Sequence, residues 1–106
     1  MGVPVLTAED RAAAAAKAIK LRQERAEVRA RLQSRQTTFT EVIAARESSE
    51  AIGGMRVAAM LEALPGIGKV RAQVIMEKIG IATSRRLRGL GPHQIAGLQR
   101  ELAHLS

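Results

Sequence analysis

Apolar residues recur every three to four positions along most of this chain, the spacing that buries one face of an α-helix. The clearest example is the set Val57, Met60, Leu61 and Leu64, at positions i, i+3, i+4 and i+7. Alanine-rich stretches are common and runs of β-branched residues are few, which favours helix over sheet. The pattern therefore predicts an all-α fold.

The first predicted element is a long, basic helix that follows a short tail. Glycine and proline oppose helix formation in Met1–Leu6, so we expect this tail to be extended or mobile. Thr7 suits an N-cap, and nothing in residues 8–33 breaks a helix. Helical spacing predicts that its inward residues are Ala14, Ala18, Leu21, Val28 and Leu32. We therefore separate residues 1–34, the tail and long helix, from residues 35–106, a compact helical domain, and expect one structural unit.

Two shorter helices should follow, separated by polar or helix-breaking residues. Thr38 can cap a helix that ends near Arg46, and a polar loop or single turn continues to Gly54. The next helix should cover residues 55–64 and end before Pro65. The predicted inward residues of these two helices are Phe39, Val42, Ile43, Val57, Met60, Leu61 and Leu64.

Two further helices complete the predicted domain. One should run from Lys69 to Ile79 and end at Gly80 as its C-terminal cap. Residues 81–91 are irregular and basic, and Pro92 suits the first position of the last helix. The predicted inward residues of these two helices are Val70, Val74, Ile75, Ile79, Ile95, Leu98, Leu102 and Leu105.

Charge then narrows the range of functions. The formal net charge is +7, and residues 69–88 carry six basic residues and one acidic residue. A basic surface of this kind attracts polyanions and is typical of nucleic-acid-binding proteins, although a merely soluble basic surface is the alternative. The chain has no cysteine, which excludes disulfides, thiol catalysis and cysteine-ligated zinc. No apolar run approaches the roughly 20 residues that span a bilayer, so we expect no membrane association.

The turn between the third and fourth predicted helices, called here the glycine turn, has the sequence Leu64-Pro65-Gly66-Ile67-Gly68-Lys69. Its glycines lack side chains, so backbone N–H groups can approach an anion at the positive end of the following helix. Lys69 and Arg71 add full charge, and Ile67 should turn inward. We predict that this turn binds phosphate. The alternative is an ordinary turn between helices with exposed charge.

A second candidate is the segment Arg85-Arg86-Leu87-Arg88-Gly89-Leu90-Gly91, called here the arginine loop. Leu87 and Leu90 should attach it to the core and hold the three arginines outward. Arginine suits phosphates and narrow minor grooves better than lysine does. The first helix adds a stripe of Arg11, Arg22 and Arg29, which are further candidate contacts or simply a solvated helix face.

These motifs resemble those of the actinobacterial (mycobacterial-type) integration host factor family. The resemblance rests on the arginine loop, on Met55-Arg56-Val57, on Leu61 to Val70 and on Leu6-Thr7 with Arg11 to Ala14. It implies a long N-terminal helix, a helix-two-turns-helix module, and binding and bending of duplex DNA with little sequence preference. It implies that the glycine turn binds phosphates and that Arg85, Arg86 and Arg88 enter or flank a groove. The motifs and the resemblance together give these candidate DNA-binding residues: Pro65, Gly66, Ile67, Gly68, Lys69, Arg71, Arg85, Arg86, Arg88, Gly89 and Gly91.

Other functions fit the sequence less well. Asp10 is the only aspartate and lies far upstream of the glycine turn, where a hairpin-type glycosylase would need a downstream catalytic aspartate. Pro4 is preceded by three residues, whereas helix-two-turns-helix glycosylases use an N-terminal proline. With Phe39 as the sole aromatic residue, no stacking pocket for a flipped base is expected. His93 and His104 lie far apart and predict no metal site.

We therefore expect a non-enzymatic protein without cofactors whose partner is double-stranded DNA. A phage integrase is a further candidate partner, and we expect a monomer located in the cytoplasm, in the nucleoid. A structured-RNA or ribosome-associated protein is the alternative, because basic charge and a phosphate-binding turn suit A-form and B-form helices equally.

Overall fold

The computed structural model describes Val5 and residues 7–104, and in this part of the chain the prediction of an all-α fold is confirmed. Six α-helices follow one another, and a short 3₁₀ helix precedes the last. Their bounds are α1 Ala8–Gln33, α2 Phe39–Ala44, α3 Glu50–Gly53, α4 Val57–Ala63, α5 Lys69–Ile79, the 3₁₀ helix Leu87–Gly89 and α6 Pro92–Ala103. The tail predicted over Met1–Leu6 lies, except for Val5, outside the described residues, as does Leu105.

Helix α1 begins and ends where the sequence predicts, but much of it projects from the domain. The Thr7 hydroxyl accepts from the Asp10 N–H at 3.0 Å, so the predicted N-cap is confirmed. Leu32 is buried, and α1 packs against α3 and α4. Every residue of 8–20 is exposed, so the inward placement of Ala14 and Ala18 is wrong. The helical spacing is right, but the domain is too short to cover the first half of a 26-residue helix.

The start of α1 should respond to acid through Asp10. Its carboxylate accepts from the Thr7 N–H at 3.0 Å, and this bond, together with the bond to the Thr7 side chain, lowers the pKa of Asp10. A lowered pKa in the folded state means that the stabilisation is present above the ordinary carboxyl pKa and is lost as pH falls through the lowered pKa. We expect NMR amide shifts of the first turn to move only below about pH 4. Asp10→Asn should abolish this titration, and an ordinary pKa for Asp10 would contradict the capping role.

The core lies around α4, which packs against α5 and the end of α1, while α6 packs against α5. The least exposed large side chains are Leu32, Met55, Met60, Leu61, Leu87, Leu98 and Val57. Helix α4 begins at Val57, two residues later than predicted, because the preceding backbone pairs with the arginine loop. The Val57 N–H donates to the Arg85 carbonyl at 3.0 Å, and the Leu87 N–H donates to the Met55 carbonyl at 2.9 Å. This pairing between distant segments attaches the arginine loop to the start of α4.

Helix α5 has the predicted bounds but not the predicted orientation. Ile75 is buried and Ile79 half-buried, as expected. Val70 and Val74, however, are 79% and 56% exposed, so their inward placement is wrong. The core-facing side of α5 is instead formed by Ala72, Ile75 and Met76. A helix packed on one side only leaves part of its apolar sequence in solvent, and here two valines remain uncovered.

The last helix closes the domain against α5. Gly80 ends α5 with φ +85, the left-handed conformation expected of a C-terminal glycine cap. Pro92 stands at the start of α6, and Leu98 is buried as predicted. The buried Gly97 faces the side chain of Ile79 so closely that an added Cβ would lie 3.1 Å from it. Among the described residues, no helix combines the length and apolar character that a membrane crossing requires.

Candidate nucleic-acid interface

The glycine turn is a tight corner between α4 and α5. The Ile67 N–H donates to the Leu64 carbonyl at 3.1 Å, and the Ile67 side chain is buried, as predicted. Gly66 has φ +83, a conformation in which a side chain would be strained. Pro65 and Gly68 are exposed on either side of the buried Ile67. The corner therefore presents its backbone to solvent while one apolar side chain holds it to the core.

The N-terminus of α5 behind this corner has no side-chain cap. Thr7, Thr38 and Ser49 cap α1, α2 and α3 with their hydroxyl oxygens, whereas the N-cap of α5 is Gly68. A Cβ added at Gly66 or Gly68 would meet nothing within 4 Å, so the approach to the backbone is open from outside. Uncapped N–H groups and the positive helix end favour an anion at this position.

Cationic side chains surround the corner. Lys69 and Arg71 are exposed, and Arg71 Nη1 donates to the Gly66 carbonyl at 3.3 Å, which holds its guanidinium beside the turn. Arg35, from the loop after α1, lines the same depression as Pro65 and Arg71. Sequence analysis missed Arg35, because nothing local places the loop after α1 next to a turn 30 residues later. Its φ of +64 shows a tightly turned backbone at that position.

The arginine loop is held as predicted, with Leu87 and Leu90 buried and Arg85, Arg86 and Arg88 exposed. Two of these arginine side chains, however, bond to backbone carbonyls of the protein instead of extending freely into solvent. Arg85 Nη1 donates to the Gly89 carbonyl at 3.1 Å, and Arg86 Nη1 donates to the Gly54 carbonyl. These bonds hold the guanidiniums near the surface and leave other N–H groups of each fork for a ligand.

Four arginines converge on a crevice between α1 and the start of α4. This arginine crevice has a volume of about 240 Å³ and is lined by Arg25, Arg29, Arg56 and Arg86, with Gly54, Met55 and Ala59 as its other lining residues. Sequence analysis had named Arg29 and Arg86 as separate candidates. It had not counted Arg25 or Arg56 as contacts, because only the packing of α1 against α4 brings the four together. No acidic residue lines this crevice, so a ligand here should be anionic.

The glycine turn and the arginine crevice lie at opposite ends of α4. A seven-residue helix is about 10 Å long, so the two sites are separated by roughly that distance. Arg11 and Arg22 are exposed on the same face of α1 as Arg29, but Arg11 lies about 27 Å further along the helix axis. Of the three predicted α1 contacts, only Arg29 therefore lies in the crevice.

Two acidic side chains lie near α5: Glu62 on α4 and Glu77 in the last turn of α5. Glu62 and Glu77 line a shallow depression with Lys69, Ala72 and Met76. Glu77 also accepts from Gln73 Nε2 at 3.3 Å. Because Glu77 is three residues after Val74 and seven after Val70, it lies on the same face of α5, and its charge opposes a polyanion that extends beyond the first two turns. Among the described residues, no group of three or more histidines, cysteines or acids could hold a metal ion.

The chain is similar in sequence to several known proteins. Residues 32–102 match the family of S13-like H2TH domains. A protein called Integration host factor from Streptomyces coelicolor is 54% identical over 101 residues, which cover 95% of this chain and 94% of that protein. A protein of the same name from Mycobacterium tuberculosis is 52% identical over 94 residues, covering 89% of this chain and 90% of that one.

A solved structure described as sIHF bound to an 8 bp palindromic DNA is also similar. It shares 54% sequence identity and superposes with a TM-score of 0.77, covering 80% of this chain and 96% of the other. The sequence similarity therefore extends well beyond the domain that residues 32–102 define.

Proposed function

The chain belongs to the actinobacterial integration host factor family, and on this basis we propose that it is an architectural, double-stranded-DNA-binding protein of the nucleoid. It binds with little sequence preference, bends or compacts the duplex, and assists integration or chromosome organisation. It acts as a monomer in the cytoplasm, without cofactor or catalysis, and a phage integrase is a candidate partner at the bound DNA.

The observation that carries this proposal is the uncapped start of α5 behind an open glycine turn. Phosphate is the anion that duplex DNA offers, and backbone N–H groups bind it regardless of base sequence. Lys69 and Arg71 supply full charge at the same place, both of them exposed. Gly66 and Gly68 leave space for a phosphate to come within hydrogen-bond distance of the backbone.

The arginine crevice supplies a second group of contacts about 10 Å away. The minor groove of B-DNA is about 6 Å wide, so two sites at this separation can contact the backbones on either side of it. Arg85, Arg86 and Arg88 then lie at the groove, and Arg25, Arg29 and Arg56 neutralise the adjacent phosphates. Helix α1 extends the contact through Arg22 and Arg11. Together these contacts favour DNA curved towards the protein, which is the proposed basis of bending.

A gel-shift salt titration tests this proposal. About 6 neutralised phosphates predict a slope near −5 for log affinity against log salt concentration. A variant with alanine at Arg85, Arg86 and Arg88 should lower the magnitude of this slope by about 2 to 3, because each phosphate contact contributes about 0.9. A folded wild-type protein that fails to bind duplex DNA at low salt would refute the proposed function.

The role of α1 is tested by two arginines of the same helix. Arg29 lines the crevice, whereas the exposed Arg31 lies on the opposite face of α1. Arg29→Ala should weaken DNA binding by about tenfold, as expected for one lost charged contact, while Arg31→Ala should change it less than about twofold. Isothermal titration with a 20 bp duplex measures both. Equal losses would indicate that only net charge matters and that the crevice makes no specific contact.

The enzyme alternative has no support from the geometry of Asp10. Its carboxylate is engaged with Thr7 at the exposed start of α1, far from the glycine turn. Borohydride trapping on abasic DNA tests this alternative directly, and a covalent adduct would overturn the assignment as a non-enzyme.

A further inference from the structure

Two valines beside the glycine turn are largely exposed to solvent. Val70 is 79% exposed and Val74 is 56% exposed, on the side of α5 opposite its core residues. With Gly66, Gly68, Lys69 and Arg71 they line one shallow depression. A surface of this kind joins apolar methyl groups to a site for phosphate within a single contact area.

We propose that Val70 and Val74 form an apolar contact surface for the deoxyribose rings of duplex DNA and make this protein discriminate DNA from RNA. This inference rests on the proposed function, because it requires a phosphate at the glycine turn. It goes beyond that function by assigning sugar selectivity to two named side chains.

The chemistry of the nucleic-acid backbone supports this assignment. Each phosphate is bonded to sugars on both sides, so a phosphate at the start of α5 brings a sugar within one helical turn of it. Val70 lies in the first turn of α5 and Val74 one turn later, about 6 Å further along the axis. The minor-groove edge of deoxyribose is lined by carbon-bound hydrogens, which valine methyl groups can contact without losing hydrogen bonds.

Ribose differs at this edge by one group. In an RNA duplex the 2′-hydroxyl points into the minor groove. Contact with two valines would remove water from that hydroxyl, and neither side chain offers a hydrogen bond in return. The same surface that stabilises deoxyribose therefore disfavours ribose.

The distribution of charge favours a duplex at the start of α5, where both valines lie. Arg71 flanks the pair on one side and Lys69 precedes it. Glu77 lies on the same face one turn after Val74, and with Glu62 it lines a neighbouring depression that shares Lys69 with this one. Repulsion by these carboxylates limits the contact to the first two turns of α5, where both valines are found.

The test replaces each valine by threonine, which has almost the same shape, is also β-branched and adds a hydroxyl. Both sites are exposed, so the double variant Val70→Thr/Val74→Thr should keep the melting temperature of the wild type. Fluorescence anisotropy then gives the affinities for a 20 bp DNA duplex and for an RNA duplex of the same sequence. The matched control is Val5→Thr, since Val5 is 89% exposed and lies outside the domain.

We expect the wild type and Val5→Thr to bind the DNA duplex more tightly than the RNA duplex. In the double variant the ratio of these two affinities should fall about tenfold. The loss should come from weaker DNA binding together with unchanged or stronger RNA binding. An unchanged ratio in the double variant, an equal fall for DNA and RNA, or a wild type that binds both equally would each overturn the inference. The first two leave the proposed function intact, whereas absence of DNA binding by the wild type refutes that function itself.

Discussion

Replacing Gly68 by aspartate is expected to lower affinity for duplex DNA by roughly 100-fold while leaving the protein as stable as the wild type, or slightly more so. Gly68 is the N-cap of α5, with extended φ −94 and ψ −175 that any residue can adopt. A Cβ there meets nothing within 4 Å. Aspartate is a favourable N-cap and exceeds glycine by a few tenths of a kcal/mol.

The same carboxylate occupies the place that we assign to a DNA phosphate. It accepts from the first N–H groups of α5 and repels a second anion at close range. Binding and stability should therefore change in opposite directions. Calorimetric melting and anisotropy titration of the same sample measure both quantities.

Two controls separate the causes of this effect. Gln99→Glu makes the same change in net charge at an exposed position on α6 and should weaken binding by less than about twofold. Gly68→Ser caps α5 without a charge and should have an intermediate effect. If Gly68→Asp binds DNA as tightly as Gln99→Glu does, no phosphate is bound at the start of α5.

The substitution Gly53→Ala should destabilise the protein by about 3 kcal/mol, which lowers the melting temperature of a domain of this size by roughly 12 to 24 °C. A Cβ at this buried glycine would lie 2.5 Å from the carbonyl oxygen of Arg46 and 2.9 Å from Arg88 Nη2. The Arg46 carbonyl is part of the backbone and cannot rotate away as the end of a side chain can. Helix α3 must therefore move away from the segment around Arg46.

The Arg88 side chain must also move away from Gly53, so we expect Gly53→Ala to alter the conformation of the arginine loop as well as the stability. The neighbouring Gly54 is the matched control, because its Cβ would meet the Glu50 carbonyl only at 3.3 Å. Gly54→Ala should cost less than about 1 kcal/mol. Thermal melts followed by circular dichroism distinguish the two variants. A normal melting temperature for Gly53→Ala would show that α3 is not packed as described.

Local chemistry made several features of this fold predictable from the sequence. The capping residues Thr7 and Thr38 and the terminating Gly80 were assigned correctly, because each acts on its own helix end through bonds within about four residues. The burial of Ile67, Leu87 and Leu90 was predictable because each is an isolated large apolar residue in a segment of glycine and charged residues. The family resemblance was confirmed because its motifs lie in these same local segments.

The residues wrongly predicted to be buried share one cause. Ala14, Ala18, Val70 and Val74 all have the helical spacing of core residues, yet all are exposed. Periodicity reports which residues share a face, but a face is buried only where another element covers it. The first half of α1 extends beyond the domain, and α5 is covered on one side only.

The sequence by itself therefore determined the longer helices, most of their ends, the glycine turn and the family. Helix α3 and the 3₁₀ helix lie in segments that it predicted as a polar loop or single turn and as irregular. Only the tertiary structure decided which arginines act together. Arg25 and Arg29 meet Arg56 and Arg86 because α1 packs against α4 and because residues 85–87 pair with 55–57. Such contacts join segments about 30 residues apart, and the free energy that selects them is the burial of the shared core, a sum over the whole domain that no short motif records.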